Sequence, residues 1–428
     1  MVTSRSLPKD LIARVDDLVD ADTVRLVDLF KDIHRNPELG FEEIRTARLI
    51  EKALQNLGFD VTKGIGKTGI AATFRNGPGP VVMYRADMDA NAVREETGLD
   101  YASTVTASRE DGTQVPVGHM CGHDAHVTWL IGMANALVAV RDEWSGTVVL
   151  IGQPAEELIT GAQAMLDDGL YNFIPTPDVL IGLHTAPGPV GMVINPPGTR
   201  MAGTDQVDVH FHGVGGHGSM PHKAKDPVRM AAQAALDFTS LVPRTVEPNA
   251  TAVVSVGSIQ AGTDNNVIPS EALVKVNLRW FEPHVREALL GGIRTASESI
   301  ARAAGMGDDE LPDLVLKGAS PPLVNTPDLA EAMSASLREI IGAENVVTDM
   351  PAVTGSEDAH MLRGPHTDLP FNYLLVGVAA PEVFLDALSR GELVPYYPHN
   401  PNYVVDLAAI GFGTKIAAYS VLGLLDPR

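Results

Sequence analysis

Apolar residues recur at two different periods along the chain, and each period predicts a different kind of element. Helical spacing is found in residues 7–34, 41–57 and 127–140. Short apolar and β-branched runs, which are typical of strands, are found in residues 69–74, 81–85, 147–152 and 179–183. The first helical segment contains Asp20-Ala21-Asp22, where we expect a break. Strands that alternate with helices favour an α/β fold with a mainly parallel sheet.

A different pattern begins after Pro196-Pro197-Gly198, which we interpret as a linker. Residues 204–318 predict strand, helix, strand, strand, helix and strand, which is the order of a ferredoxin-like (βαββαβ) unit. The α/β pattern then resumes and continues to a closing helix. The sequence therefore predicts a discontinuous domain, 1–200 and 319–428, with a second domain, 201–318, inserted into it.

Length and composition narrow the class of protein. A chain of 428 residues, 45% hydrophobic and 20% charged, has enough apolar material for two globular domains. The formal net charge of −22 argues against a nucleic acid or an anionic membrane as partner, since both require excess Lys and Arg. The N-terminal residues lack the apolar run of an export signal, and the chain has one cysteine. We therefore expect a cytoplasmic protein.

The densest group of chemically active side chains is residues 118–126, Gly-His-Met-Cys-Gly-His-Asp-Ala-His. It contains three histidines, an aspartate and the only cysteine, and it precedes the helix predicted at 127–140. A helix N-terminus favours anions and lowers the pKa of a nearby thiol. Cys121 and His123, which lie two positions apart in a loop, can both turn toward one metal ion. Taken alone, the group fits equally well a buried cysteine beside solvated histidines.

Further polar side chains follow predicted strands, where the ligand sites of open α/β sheets collect. Asp87 and Asp89 follow one strand, Glu156 and Glu157 a second, and His184 a third. Because neighbouring side chains diverge after a strand, one glutamate can bind a metal while the other faces a water molecule. The two aspartates could instead be solvated loop residues.

Short motifs spread over almost the whole chain together resemble one enzyme family. That family is the dinuclear metallo-amidohydrolases, which include aminoacylases, hippurate hydrolases and indoleacetyl-amino-acid hydrolases. The motifs are His34-x-x-Pro-Glu-Leu, Arg85-Ala-Asp-Met-Asp, Met120-Cys-Gly-His-Asp, Gln153-Pro-Ala-Glu-Glu, Gly182-Leu-His, Gly215-Gly-His, Asn266-Val-Ile-Pro, Gly355-Ser-Glu-Asp and His399-Asn-Pro.

The resemblance implies a catalytic domain that holds two divalent ions and a smaller lid domain through which a homodimer forms. Matched position by position, the metal ligands would be Cys121, His123, Glu157, His184 and His399. Cys121 would bridge or border both ions. A thiolate beside imidazoles and one carboxylate suits Zn, Ni, Co or Mn better than Mg or Ca. Two such ions, ~3.5–4 Å apart, can activate water and clamp an amide oxygen.

The resemblance also implies roles for residues of the catalytic domain that do not bind metal. Glu156 would be the general base, which takes a proton from the water and later hands it to the leaving amine. The alternative for Glu156 is a charge at a helix N-terminus. Asp89 would orient a metal ligand without binding the metal itself, and Asp87 would do likewise or be structural. We expect four other histidines to be hydrogen-bonded structural residues: His119, His126, His222 and His360.

In the lid domain the resemblance singles out three residues. His217 would reach into the active site of the partner subunit and hydrogen-bond the developing oxyanion. Asn266 and Arg279 match positions that hold the substrate's carboxylate. A local arginine is physically expected, because so acidic a protein must supply a specific cation for a carboxylate ligand. An ordinary salt bridge on the surface of a strand is an equally good interpretation of Arg279.

The chain departs from the family pattern in two places. The family usually continues Met-Asp-Ala with Leu-Pro, whereas this chain has Asn91-Ala92 after Ala90. The segment after Ser356-Glu-Asp usually carries an aromatic residue, and here it is Ala359-His360. We expect neither departure to touch the proposed metal ligands. We expect both to lie near the pocket wall, which leaves the preferred acyl group open.

The sequence therefore predicts a metal-dependent amidohydrolase that cleaves an N-acyl amino acid or a related small amide. A small-peptide carboxypeptidase or dipeptidase that uses the same metals is one alternative. A cysteine amidase, with Cys121 as nucleophile and His119 or His123 as base, is a second. A non-enzymatic binding protein on the same scaffold is a third, although a binder has no use for the general base Glu156.

Overall fold

The computed structural model describes residues 4–109 and 112–428, which divide into two compact units. The first unit comprises the described residues up to Gly198, together with Val324–Pro351 and Asp358–Arg428. The second comprises Thr199–Leu323 and the short segment Ala352–Glu357. This segment belongs to the second unit because its Val353 hydrogen-bonds the main chain of Arg200 and Ala202.

A mixed eight-stranded sheet forms the centre of the first unit. Its four middle strands are parallel to one another and are, in order, Thr147–Gln153, Val81–Asp87, Val179–Pro189 and Phe371–Ala379. The strands Gly69–Arg75 and Asp60–Ile65 extend one side of the sheet in antiparallel fashion. Val193–Ile194 and Val346–Val347 extend the other side. The predicted α/β class with a mainly parallel central sheet is confirmed.

Helices cover this sheet, so its middle strands are buried on both faces and are apolar at nearly every position. The longer helices of the first unit are Lys9–His34, Ile44–Asn56, His123–Ala139, Pro327–Ile341, Pro381–Ser389 and Ala408–Leu422. Two of them approach closely at Gly413, where a Cβ atom would lie 2.1 Å from the ring of Trp129. The Trp129 indole donates a hydrogen bond to Ala409 O across the same contact (3.1 Å).

The first helix runs unbroken from Lys9 to His34, so the expected break near Asp20 is wrong. Its apolar residues Val15, Val19 and Leu26 are buried along one face of the helix. Asp20 lies on the exposed face, where its carboxylate is 2.8 Å from the ammonium of Lys415. Charged residues on the solvent side do not interrupt a helix whose apolar stripe is continuous.

The second unit is built around a four-stranded antiparallel sheet with its own core. In spatial order the strands are Ala252–Ala261, Glu271–Trp280, Gly203–His212 and Asp313–Ser320. The helices Pro227–Thr239 and Pro283–Ala303 complete the order strand, helix, strand, strand, helix, strand along the chain. Side chains of Glu271–Trp280 alternate between buried and more exposed, as one face of the sheet packs on the helices.

Parallel strands of the first unit deliver their carboxyl ends to one edge of the sheet. Asp87 pairs in register with Gln153 on one neighbouring strand, and Arg85 pairs with Gly182 on the other. The segments that follow Asp87 and Gln153 therefore emerge beside His184.

Among the helices in residues 4–109 and 112–428, none has both the length and the apolar character needed to cross a membrane.

Candidate metal centre

The loop that carries Cys121 ends sooner than the apolar pattern indicates, because the helix begins at His123. Gly122 makes this entry possible. Its φ of 82° is in the left-handed region, and a Cβ atom there would lie 2.7 Å from Thr185 Oγ1. The Thr185 hydroxyl also donates to Cys121 O (2.8 Å). The thiol and the first imidazole are thus fixed by a glycine that no larger residue could replace without a shift.

Five side chains proposed as metal ligands come together at this edge. Cys121, His123 and Glu157 offer ligand atoms that all lie within 4.8 Å of one another. His184 Nε2 is 3.6 Å from Cys121 Sγ. His399 Nε2 is 3.2 Å from Glu157 Oε1 on the other side. Residues from four separate stretches of chain therefore converge on one point.

His123 is oriented by Asp89, which follows the neighbouring strand. His123 Nδ1 donates to the main-chain oxygen of Asp89 (2.9 Å), and this aims Nε2 into the cluster. His123 Nε2 is buried and has no hydrogen-bond partner among the described residues, and it lies 3.9 Å from Glu157 Oε1. Asp89 Oδ2 also accepts a hydrogen bond from Glu157 N (2.9 Å). A buried imidazole nitrogen that is left unpaired and faces a carboxylate oxygen is what an ion would satisfy.

The electrostatics of the group suit a cation. Burial and the Glu157 carboxylate raise the pKa of the Cys121 thiol, but the His184 and His123 imidazoles outweigh them and lower it to about 6. Burial opposes protonation of His399, yet its hydrogen bonds to Cys121 and Glu157 raise its pKa to about 10. The site thus holds an ionised thiolate and a carboxylate against imidazoles. This donor set fits Zn or a similar transition metal.

His399 enters the site from a loop with an uncommon backbone. Its φ is 67°, in the left-handed region that side chains other than glycine rarely adopt. The turn is held by its own N–H, which donates to Met120 O (2.6 Å), one residue before Cys121. Its side chain is 52% exposed.

Asp87 and His126 form a support behind the ligands. His126 Nδ1 is hydrogen-bonded to Asp87, and its Nε2 accepts from Thr185 N (2.8 Å). Asp87 also pairs with the guanidinium of Arg85 at 2.6 Å. Both nitrogens of His126 are therefore occupied, as expected of a structural histidine. The same expectation for His119 is wrong, since neither of its buried ring nitrogens finds a partner within the described chain.

Glu156 lies on a turn and is 6% exposed. The residue before it, Ala155, has a left-handed φ of 48°, which turns the two glutamates apart. Glu156 Oε2 is 3.9 Å from His123 Nε2, at the border of the cluster. The next helix is Gly161–Asp167, so Glu156 does not occupy its first turn.

The residues singled out for the lid domain all lie in the second unit. His217 is exposed, and its Nδ1 accepts from the hydroxyl of Ser219 (2.8 Å). Asn266 is brought next to it, because Gly218 N donates to Asn266 O (2.8 Å). Arg279 donates to the hydroxyl of Ser356 within the same unit.

One residue that contacts the cluster was misjudged from the sequence. Asn91 was expected not to touch the proposed ligands, and that expectation is wrong. Its side chain is buried, 7% exposed, and it is one of the groups that hold the pKa of the Glu157 carboxyl below its usual value, against the effect of burial. Its Oδ1 accepts from Met120 N (3.2 Å). The only signal in the sequence was the departure itself, an asparagine where an apolar residue is usual.

The chain matches the description Peptidase family M20/M25/M40 over residues 83–419. It belongs to this family. It is 35% identical to the hippurate hydrolase of Campylobacter jejuni over 328 residues, which cover 76% of this chain and 82% of the relative. It is 32% identical to thermostable carboxypeptidase 2 of Saccharolobus solfataricus, with 82% of this chain and 85% of the relative covered.

The fold agrees with a solved structure of the same family. The Bacillus subtilis YXEP protein, described as a dinuclear metal binding peptidase, superposes with a TM-score of 0.68 at 27% identity. The match covers 94% of this chain and 99% of that one. The family resemblance inferred from the motifs is confirmed, and the chain is a hydrolase of the amidohydrolase type.

Proposed function

We propose that this protein is a metal-dependent amidohydrolase that cleaves an N-acyl amino acid or a related small amide. One observation carries the proposal. The buried, unpaired Nε2 of His123 faces the Glu157 carboxylate beside the Cys121 thiol, with the Glu156 carboxylate at their border. Two divalent ions bound there, Zn, Mn, Ni or Co, would polarise the amide carbonyl and acidify the attacking water.

The chain's own residues divide the remaining work. Cys121, His123, Glu157, His184 and His399 hold the ions. Glu156 takes a proton from the water as the water oxygen bonds to the carbonyl carbon. It returns that proton to the amine nitrogen as the carbon–nitrogen bond breaks, so the products are a carboxylate and an amine. Asp89 keeps His123 in the tautomer that presents Nε2 to the cluster.

The second unit supplies substrate contacts in this proposal. His217 of the partner subunit donates a hydrogen bond to the oxygen that becomes negative, and the homodimer forms through the second unit. Asn266 and Arg279 hold the substrate's carboxylate. Exposure of His217 and its proximity to Asn266 support these roles.

A substrate panel with a metal analysis tests the proposal and its main rival. The purified protein should contain divalent transition metal and should cleave N-acetyl- or N-benzoyl-amino acids. Removal of the metal by a chelator should abolish the activity, and added Zn²⁺ or Mn²⁺ should restore it. Faster cleavage of dipeptides would favour the carboxypeptidase, in line with the relative of that name. Metal binding without turnover of either substrate class would favour a binding protein.

The Cys121 thiol separates the metal enzyme from a cysteine amidase. Cys121→Ser should lose affinity for at least one metal ion, because a serine hydroxyl is a far poorer anionic ligand than a thiolate. Alkylation of Cys121 should be slow with metal bound and fast after chelation. Equal alkylation rates in the two forms would argue against ligation. Activity that persists without metal would identify Cys121 as a nucleophile.

A further inference from the structure

Asn91 occupies a junction between the two segments that carry the candidate ligands. Its main chain exchanges hydrogen bonds with Gly118, Asn91 N to Gly118 O (3.0 Å) and Gly118 N to Asn91 O (3.1 Å). Its side chain accepts from Met120 N (3.2 Å) on one side. On the other side, burial would raise the pKa of the Glu157 carboxyl, and Asn91 is one of the groups, with His399 and His123, that hold it below its usual value.

The Glu157 side chain needs such a contact. Asp89 fixes the main chain of Glu157 by accepting from its N–H (2.9 Å), and His399 Nε2 lies 3.2 Å from one carboxylate oxygen, Oε1. The amide of Asn91 is a neutral group that can fix the carboxylate without adding a competing charge.

The chemistry of the two contacts requires an amide. Met120 N–H needs an acceptor and the Glu157 carboxylate needs a donor, and a primary amide offers both from one side chain. An apolar residue at this position would offer neither. An aspartate would offer two acceptors and would set a second carboxylate against Glu157.

We propose that Asn91 is a positioning residue of the metal centre, which holds the Glu157 carboxylate and the Cys121 loop in the geometry that binds the ion. The inference rests on the metal centre proposed above. It goes beyond that proposal by assigning a determinant of metal affinity to a residue that binds no metal. Groups that orient metal ligands commonly change affinity by about 10–100-fold when they are removed.

The test measures metal binding in the absence of substrate. Apoprotein of the wild type, Asn91→Ala and Asn91→Leu is titrated with Zn²⁺ against a chromophoric chelator. Asn372→Ala is the matched control, since Asn372 is a buried asparagine of the first unit whose amide hydrogen-bonds Asn195 (3.0 Å). Circular dichroism and the Tm of each apoprotein report on the fold.

Both Asn91 variants should retain the apo fold and bind Zn²⁺ at one site about 10–100-fold more weakly, while Asn372→Ala keeps wild-type affinity. Alanine and leucine differ in volume, so a defect from a cavity or from crowding would not affect both alike. Wild-type affinity in either folded variant would overturn the proposal. Loss of the apo fold in both would also overturn it, because Asn91 would then be structural. A wild type that binds no Zn²⁺ would instead refute the metal centre itself.

Discussion

Glu156 and Glu157 are neighbours in the chain, but their side chains have different surroundings. Ala155, with its left-handed φ of 48°, turns the chain just before them. Glu157 Oε1 faces His399 at 3.2 Å, whereas Glu156 Oε2 reaches only the border of the cluster, 3.9 Å from His123. A pair of identical carboxylates can thus serve as ligand and as proton acceptor.

The two glutamates should therefore respond differently to the same isosteric change. Glu156→Gln should keep its metal and lower kcat by at least ~10²-fold, which is the usual contribution of a general base. Glu157→Gln is the matched control and should lose bound metal, because an amide is a weaker ligand than a carboxylate. Metal content and kcat are measured on both variants. Near-normal kcat in Glu156→Gln would remove Glu156 from the mechanism.

At the scale of elements, the turn that carries these glutamates is held by the segment before the helix Ile44–Asn56. Glu43 Oε1 accepts from Ala155 N (2.8 Å) and Phe41 N (3.0 Å), and its Oε2 accepts from the Thr68 hydroxyl. A left-handed residue such as Ala155 costs about 1–3 kcal/mol and persists only where its surroundings fix it. The buried carboxylate of Glu43 provides that fixation.

Loss of these contacts should damage catalysis without removing the metal. Glu43→Ala should lower kcat by about 10–100-fold, because small misplacements of catalytic groups are costly. Glu43→Gln should recover most of the loss, since its carbonyl oxygen accepts both N–H groups and its amide can donate to Thr68. Steady-state kinetics and metal analysis on both variants check this. Equal defects in the two would mean that the charge of Glu43, not its hydrogen bonds, is required.

A second link between elements joins the ends of two helices. His34, the last residue of the first helix, contacts Asp124 (2.6 Å) in the first turn of the helix His123–Ala139 and Glu95 (3.1 Å). Burial opposes protonation of His34, but these two carboxylates outweigh it and raise its pKa to about 9. Its ring also faces Tyr101 and the ring of His119.

The raised pKa predicts how stability changes with pH. His34 is protonated in the folded state up to about pH 9 and in the unfolded state only up to 6.5, so the folded state holds the extra proton between these values. The interaction contributes fully below 6.5, is worth about 2–3 kcal/mol near neutrality and is lost as pH rises through about 9. Relative to His34→Gln, the wild type should be more stable near neutrality and lose that advantage in alkali. Urea unfolding of both proteins at several pH values measures the difference. An advantage that does not change with pH would contradict the assignment.

At the scale of the whole molecule, the proposed ligands and His217 lie in different units. If His217 serves the active site of the partner subunit, each variant Glu156→Ala and His217→Ala should be nearly inactive alone. In a mixed dimer, the site on the His217→Ala subunit keeps its own Glu156 and receives an intact His217 from the other chain. That site is complete, while the other site carries both lesions.

Equal amounts of the two variants, co-expressed or refolded together, should form about half mixed dimers, so roughly a quarter of all sites should recover. Each variant refolded alone is the control. Recovery of activity in the mixture would establish the shared site. A mixture no more active than its components, with mixed dimers demonstrated, would mean that His217 acts within its own chain or not at all.

The sequence by itself determined the class of the fold and the residue types of the candidate site. Periodicity suffices for long elements, because burial selects apolar residues at regular intervals, and the central sheet follows that pattern. The sequence placed polar residues directly after strands, and in the structure these residues lie at one edge of the sheet, because parallel strands place their carboxyl ends together. Element ends were less accurate, and His123 belongs to a helix although its apolar pattern starts later.

Only the tertiary structure decided which loops support one another. Glu43 and Ala155 are 112 positions apart, and nothing in either local sequence indicates their hydrogen bond. From the sequence, Asn91 was expected to lie in the pocket wall, away from the ligands. The fold instead places it beside Glu157 and Met120. Local sequence predicts local structure because its interactions are short-range. The contacts that orient a buried ligand depend on the packing of distant segments, which no window of sequence contains.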